Sequence, residues 1–293
     1  MRILVSGGTG FIGRPLVKAL KKAGHEVVVL TRQSALVASD DTYIESIDAL
    51  DARPDAWINL AGAGLADKRW TPKYLEEIRE SRIDLSRHIT DFMLERQWIP
   101  ETVLSGSAIG FYGASETKVF DENSPNGSGF SATLCSDWEA SVQPLADAGA
   151  RLILLRTGVV LDSESGAYPQ MTGSFKAFVK TWLGSGKQWL SWIHRSDVVS
   201  AIIHILKTPT LSGPVNLTAP APVTHRGFAD AVGRIKPTLL AMGIPAPVMR
   251  IMVGDVADEL LLNGQQVMPE KLKASGFDFA YPSIHKAIAA IES

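Results

Sequence analysis

Cysteine is almost missing from this chain: Cys135 is the only one in 293 residues. A single thiol excludes a disulfide framework and a thiolate metal cluster. An excess of either charge is missing too. Lys and Arg number 29 against 31 Asp and Glu, a net charge of −2, and so weak a field offers nothing to nucleic acid or to an anionic membrane. Long apolar runs are also absent; none approaches the ~18 residues that a membrane span needs. Gly7 breaks the first apolar run at once, which leaves no secretory leader pattern. These absences predict a reducing aqueous compartment, most simply the cytoplasm, with no metal, nucleic acid or membrane as partner. At 45% hydrophobic, the chain is long enough to bury an α/β core with one further lobe.

What is present begins at residue 5. Val5-Ser6-Gly7-Gly8-Thr9-Gly10-Phe11-Ile12-Gly13 follows a short apolar strand, Arg2 to Val5, and precedes a helix with Leu16, Val17 and Leu20 at helical spacing. In that context the glycines read as a phosphate-cradling turn. One lets the backbone turn, one lets a pyrophosphate approach, and one lets helix and strand pack closely. The helix N-terminus offers N–H groups and a positive dipole end. The competing account is a tight β-to-α turn without ligand.

The next strand, His25 to Leu30, ends in Thr31-Arg32, about 19 residues past Gly13. An NAD-specific site places an acidic residue there, on the ribose 2′-hydroxyl. A hydroxyl and a guanidinium stand in its place. Arg forks onto phosphate oxygens and stacks on a base, so NADP is the expected dinucleotide. A solvated surface Arg is the alternative.

The rest of the chain alternates strand and helix. A weak strand at Tyr43-Ile44 and a buried strand at Ala56 to Leu60 lead to a long helix from Thr71-Pro72 to about Arg96. A strand at Thr102 to Leu104, a helix from Ser131 to Ala148 bent at Pro144, and a strand at Arg151 to Leu155 follow. This order predicts a doubly wound parallel sheet. Beyond about Leu161 the rhythm fades. Residues 1–161 read as the nucleotide-binding domain, with 190–207 returning to it, and 162–189 with 208–293 as a smaller substrate-side lobe.

These motifs resemble the extended short-chain dehydrogenase/reductases, the superfamily of nucleotide-sugar epimerases and dehydratases with a Rossmann domain. The matching pieces are the glycine loop, Asn59-Leu60-Ala61-Gly62, Ser105-Gly106-Ser107, Leu155-Arg156-Thr157-Gly158 and Trp192-Ile193-His194-Arg195-Ser196-Asp197. Lys68-Arg69-Trp70-Thr71, Ser81-Arg82, Leu183-Gly184-Ser185-Gly186, Gly264 to Pro269, Ala274 to Phe277 and Tyr281-Pro282 narrow the likeness. They point to an atypical epimerase-like family with a C-terminal domain of unknown function. The segment before Leu183 is shorter and poorer in glycine than in such relatives. The resemblance implies that Gly7, Gly10, Phe11, Ile12, Gly13, Thr31, Arg32, Leu60, Ala61 and Gly62 line an NADP site. It places Arg82 there too, oriented by Glu77, with a surface ion pair as the alternative.

The resemblance also implies a Tyr acid/base with a Lys four residues later. A free phenol has a pKa near ~10 and needs a nearby cation to exchange protons at neutral pH. None of the five tyrosines is followed by Lys at that spacing. Counting back from Glu139, Cys135 takes the Lys position and Ser131 the Tyr position; Ser131 also suits a helix cap and Cys135 a small buried hydrophobe. Ser107 matches the superfamily's catalytic Ser. Tyr112 is the second candidate, on the loop over the nicotinamide end, with an aromatic lid as its structural role. His194 and Asp197 are expected to touch each other, and Asp121-Glu122 to lie solvated in a loop. Trp182, Trp189 and Trp192 suit an apolar ligand or the core equally. Two functions remain open: an enzyme on a nucleotide-sugar-like or small carbonyl/hydroxyl substrate, or an NADP(H)-binding sensor or interaction protein without turnover.

Overall fold

The computed structural model describes residues 1–40 and 42–293. Seven parallel strands form the central sheet: β1 (Arg2–Ser6), β2 (Glu26–Leu30), β3 (Tyr43–Ile44), β4 (Ala56–Asn59), β5 (Thr102–Ala108), β6 (Arg151–Thr157) and β7 (Gly213–Leu217). Their order is β7-β6-β5-β4-β1-β2-β3. The chain winds outward from β1, crosses back, and winds the other way from β4, which is the doubly wound α/β architecture expected. Both faces of the strands are covered. Ile3 and Val5 join one apolar layer with Leu16, Leu20 and Ile202, while Leu4 joins the other with Trp57, Ile89 and Phe92. Strands buried on two faces read as continuous β-branched runs, as His25 to Leu30 does.

Helix α1 (Gly13–Lys22) buries Leu16, Val17 and Leu20 against the sheet. The long helix expected from Thr71 is two helices, α2 (Pro72–Arg79) and α3 (Leu85–Glu95), joined by a π-turn at Glu80–Asp84. Thr71 caps it as expected, accepting from the Tyr74 N–H at 3.2 Å. The helix expected over Ser131 to Ala148 also divides, into α4 (Phe130–Ala140) and a short turn of helix at Gln143–Asp147. Pro144 sits in the first turn of that second piece, where its missing N–H costs nothing.

One boundary differs from the sequence reading. Gly213–Leu217, assigned to the lobe, is the sheet's edge strand, paired in parallel with β6. Trp192–His194 pairs with Val159–Leu161 in a separate two-stranded sheet. Ile193 of that strand is nevertheless part of the main core, which the following helix, α5 (Arg195–Lys207), joins through Val198, Ala201, Ile202 and Ile205. A five-residue strand without glycine punctuation on both sides is easily lost among the lobe's short elements.

Candidate functional site

The strand ends of β1, β2 and β4 converge on the glycine loop. Gly7 has φ of +79° and its backbone touches the Leu60 and Ala61 main chain, so a Cβ there would lie 2.5 Å from Leu60. A Cβ on Gly13 would run into the Gly7 carbonyl, and one on Gly8 into Val29 at 2.7 Å. These three are glycine because the protein packs against them. Gly10 differs: a Cβ would meet only the Gly7 carbonyl, at 3.2 Å. Of the four, packing presses on it least. The Arg14 N–H bonds to Gly10 O at 3.0 Å and the Leu16 N–H to Ile12 O at 3.3 Å, so the helical hydrogen-bonding pattern starts at the loop itself and its positive dipole end lies there. Ile12 packs toward the core. The Phe11 ring lies 4.9 Å from the Arg195 guanidinium and against Gly166, which close the loop's outer side.

At the end of β2, Thr31 is buried and accepts from the Gln33 N–H at 3.2 Å. Arg32 is exposed at the mouth. Beyond β4, buried Asn59 accepts from Ser6 Oγ at 2.7 Å and donates to Ser86 Oγ at 2.7 Å, tying β1 to α3. Leu60, Ala61 and Gly62 follow as the floor of the crevice. Arg82 reaches that floor from the π-turn. Its guanidinium donates to Ala63 O at 2.8 Å and to Ile78 O at 3.2 Å. A Cβ on Gly62 would sit 3.0 Å from it. Burial lowers the Arg82 pKa. Glu77 does not orient Arg82; it pairs with Lys68 at 3.1 Å, because the π-turn rotates residue 82 away from it.

The residues at the vacated acid–base position form a different arrangement from the one expected. Ser107 donates to Glu139 at 2.7 Å, and Glu139 takes Arg156 in a fork at 2.8 and 2.9 Å. Arg156 donates to the Tyr112 hydroxyl at 3.1 Å, and that hydroxyl donates to Asn216 at 2.7 Å. All five side chains are buried. Tyr112 is therefore not a free phenol over the nicotinamide end: at 2% exposure it is a member of the network, and burial raises its pKa. Cys135, with burial pushing its thiol up to about 11, is neutral and inert.

Ser131 is not the helix cap; the cap comes from the other lobe. Glu259, in a π-turn at Ala257–Leu261, accepts from the Phe130 N–H at 3.3 Å and from Ser131 Oγ at 3.0 Å. Sequence reading had no signal for Glu259, since the contact joins residues 128 positions apart. Glu122 is likewise not solvated. It is 4% exposed and accepts from the N–H groups of Asn216 and Lys271 at 3.1 and 3.2 Å, with burial raising its pKa. His194 and Asp197 do not touch through their polar groups. Asp197 accepts from the Ala280 and Tyr281 N–H groups, while His194 accepts from Ser196 and stacks on Tyr281 at 3.9 Å. Trp192 is core, Trp189 donates to Glu116 O, and Trp182 lies under Arg226. Among the described residues no cluster has metal-ligand composition.

The sequence matches the NAD dependent epimerase/dehydratase family over residues 3–217. The chain belongs to that family. Residues 244–291 match a domain of unknown function, DUF1731. An epimerase family protein of Mycobacterium bovis is 36% identical over 294 residues, covering 98% of this chain and 96% of its own length. The chloroplastic SDR39U1 homolog of Arabidopsis thaliana is 35% identical over 303 residues, covering 99% and 86%. Human epimerase family protein SDR39U1, solved with NADPH, superposes with a TM-score of 0.91 at 30% identity and 99% coverage of both chains. The epimerase/dehydratase fold is thus combined here with a crevice that lacks the Tyr/Lys pair. Among the described residues no helix is long and apolar enough to cross a membrane.

Proposed function

We propose that this chain binds NADPH in the glycine-loop crevice and reduces a small carbonyl, nucleotide-sugar-like or simpler, by hydride transfer. The observation that carries the reading is Gly10, of the loop's four glycines the one that the fold's own packing needs least, directly before the N-terminus of α1. Gly7, Gly13, Leu60, Ala61 and Gly62 shape the floor, Phe11 and Ile12 hold the loop, and Thr31 with Arg32 receives the 2′-phosphate. NADPH, when bound, supplies the hydride. The chain's own contribution is to exclude water and to exchange a proton near Ser131. The proton that the reduced oxygen takes up comes from water by way of the Ser131 hydroxyl, which Glu259 holds in place by accepting from it. A human relative solved with NADPH supports the cofactor.

The second reading, an NADPH-binding sensor without turnover, is favoured by the engagement of Ser107 and Tyr112 in buried hydrogen bonds. The test joins a fluorescence titration with NADPH to turnover across nucleotide sugars and small ketones. Gly10→Val should abolish binding with the circular dichroism spectrum unchanged. Glu259→Gln, which keeps an acceptor for the helix cap, should leave NADPH affinity intact and lower turnover by about 10²-fold or more. Tight NADPH binding without turnover on any substrate would decide for the sensor.

A further inference from the structure

The strand order reverses between β1 and β4, so a dinucleotide lying across the strand ends is divided there. Its adenine half falls beside β2, where Thr31 and Arg32 stand. Its nicotinamide half falls beside β4 and β5. Arg82 belongs to that second side: the π-turn that carries it connects β4 to β5, and its guanidinium lies 5.2 Å from the ring of Trp138 on the helix after β5.

Arg82 is 8% exposed, and among the described residues no carboxylate forms an ion pair with it: Glu77 is taken by Lys68 and Glu139 by Arg156. Its partners are two neutral carbonyls, of Ile78 and Ala63, which engage two of the five N–H donors a guanidinium has. Cys135 beside it is a neutral thiol. The nearby Glu139 is answered by Arg156 in a two-pronged pair. Glu259, at the far end of α4, is held by three donors of its own. A buried cation without an ion-pair partner is unfavourable, and this one lies directly against an exposed glycine, Gly62.

We propose that Arg82 makes the protein selective for the reduced cofactor. The inference rests on the NADPH-binding reading above. Oxidised and reduced forms share every phosphate and ribose and differ by one positive charge on the nicotinamide ring. An uncompensated guanidinium on that half of the crevice repels the oxidised ring and leaves the neutral reduced ring untouched. Across a partly buried site an effect of about tenfold is expected. Such a protein holds NADPH and releases NADP⁺, which suits a reductase or a sensor of the reduced pool and not a dehydrogenase.

The experiment is a set of titrations at one ionic strength with NADPH, NADP⁺ and 2′,5′-ADP, the last as a probe of the adenine half alone. The unmutated protein should bind NADPH about tenfold tighter than NADP⁺. Arg82→Gln should bring the two within about twofold, Arg82→Lys should keep the preference, and 2′,5′-ADP should bind all three proteins equally. Equal affinities of the unmutated protein for NADPH and NADP⁺ would overturn the inference without any variant having to fold. So would a preference that survives Arg82→Gln, or a parallel loss of 2′,5′-ADP, which would put Arg82 on the adenine half. Failure of the unmutated protein to bind any of the three overturns the cofactor reading itself.

Discussion

Arg32 and His225 show how much a single side chain decides. Arg32 is exposed at the end of β2, where a fork of N–H donors can meet a phosphate. NADPH should therefore bind at least about tenfold tighter than NADH, a difference of roughly 1.4 kcal/mol. Arg32→Ala should remove most of that gap, as competitive titration would register; equal affinities before mutation would refute the assignment. His225 is buried, and burial lowers its pKa from 6.5 to about 4. Its folded-state pKa lies below its unfolded value, so its contribution to stability is complete above pH 6.5 and is lost as pH falls toward 4. The loss is on the order of 3 kcal/mol. Urea denaturation at pH 7 and pH 4.5 should show a weaker acid sensitivity in His225→Gln than in the unmutated protein, and identical slopes would reject the assignment.

Two π-turns place the two charged residues on which the proposals above rest. Such a turn inserts one residue into a helix and re-aims the side chains beyond it. Glu80–Asp84 turns Arg82 under Gly62, and Ala257–Leu261 turns Glu259 onto Ser131. The one trace of the first in the sequence is the spacing of five between Ile78 and Ile83, both buried; a regular helix would bury residues three or four apart. At the same scale, the Glu139–Arg156 pair ties α4 to β6. Arg156→Met leaves a buried carboxylate without its cation and should cost about 3–5 kcal/mol. Adding Glu139→Gln should recover part of it, because the orphaned charge is then gone. Urea unfolding of both variants checks this, and a loss under ~1 kcal/mol in the single mutant would mean the pair is effectively solvated.

The C-terminal segment closes the molecule. Val267 is fully buried, its N–H donates to Ser191 Oγ at 2.8 Å, and Thr218 Oγ1 donates to its carbonyl at 3.2 Å. Asn216 donates to Met268 O at 2.9 Å and Gln265 to Ile109 O at 2.9 Å. The Gly264 to Pro269 motif is thus a strap that stitches the lobe to the last strand of the sheet and to the loop bearing Tyr112. Lobes joined in this way should unfold in one cooperative transition. NADPH at a hundredfold excess over its Kd should stabilise the folded state by about 2.7 kcal/mol, raising Tm by several degrees. A two-step melt in which only the first step responds to NADPH would show that the strap does not couple the lobes.

The sequence by itself determined the doubly wound sheet, the glycine loop, the dinucleotide cofactor and the loss of the Tyr/Lys pair. Each of these is local: strand periodicity, a strand–turn–helix succession, a residue at fixed distance from a glycine, a spacing that does not occur. Arg82 was legible as a candidate for the same reason, through the Ser81-Arg82 motif. Only the tertiary structure decided what surrounds the vacated position. Tyr112 meets Asn216 104 residues away, and Ser131 meets Glu259 128 residues away. The first contact depends on which strands the sheet brings together, the second on how the lobe docks and on a one-residue slip within a helix, and none of these leaves a period in the chain.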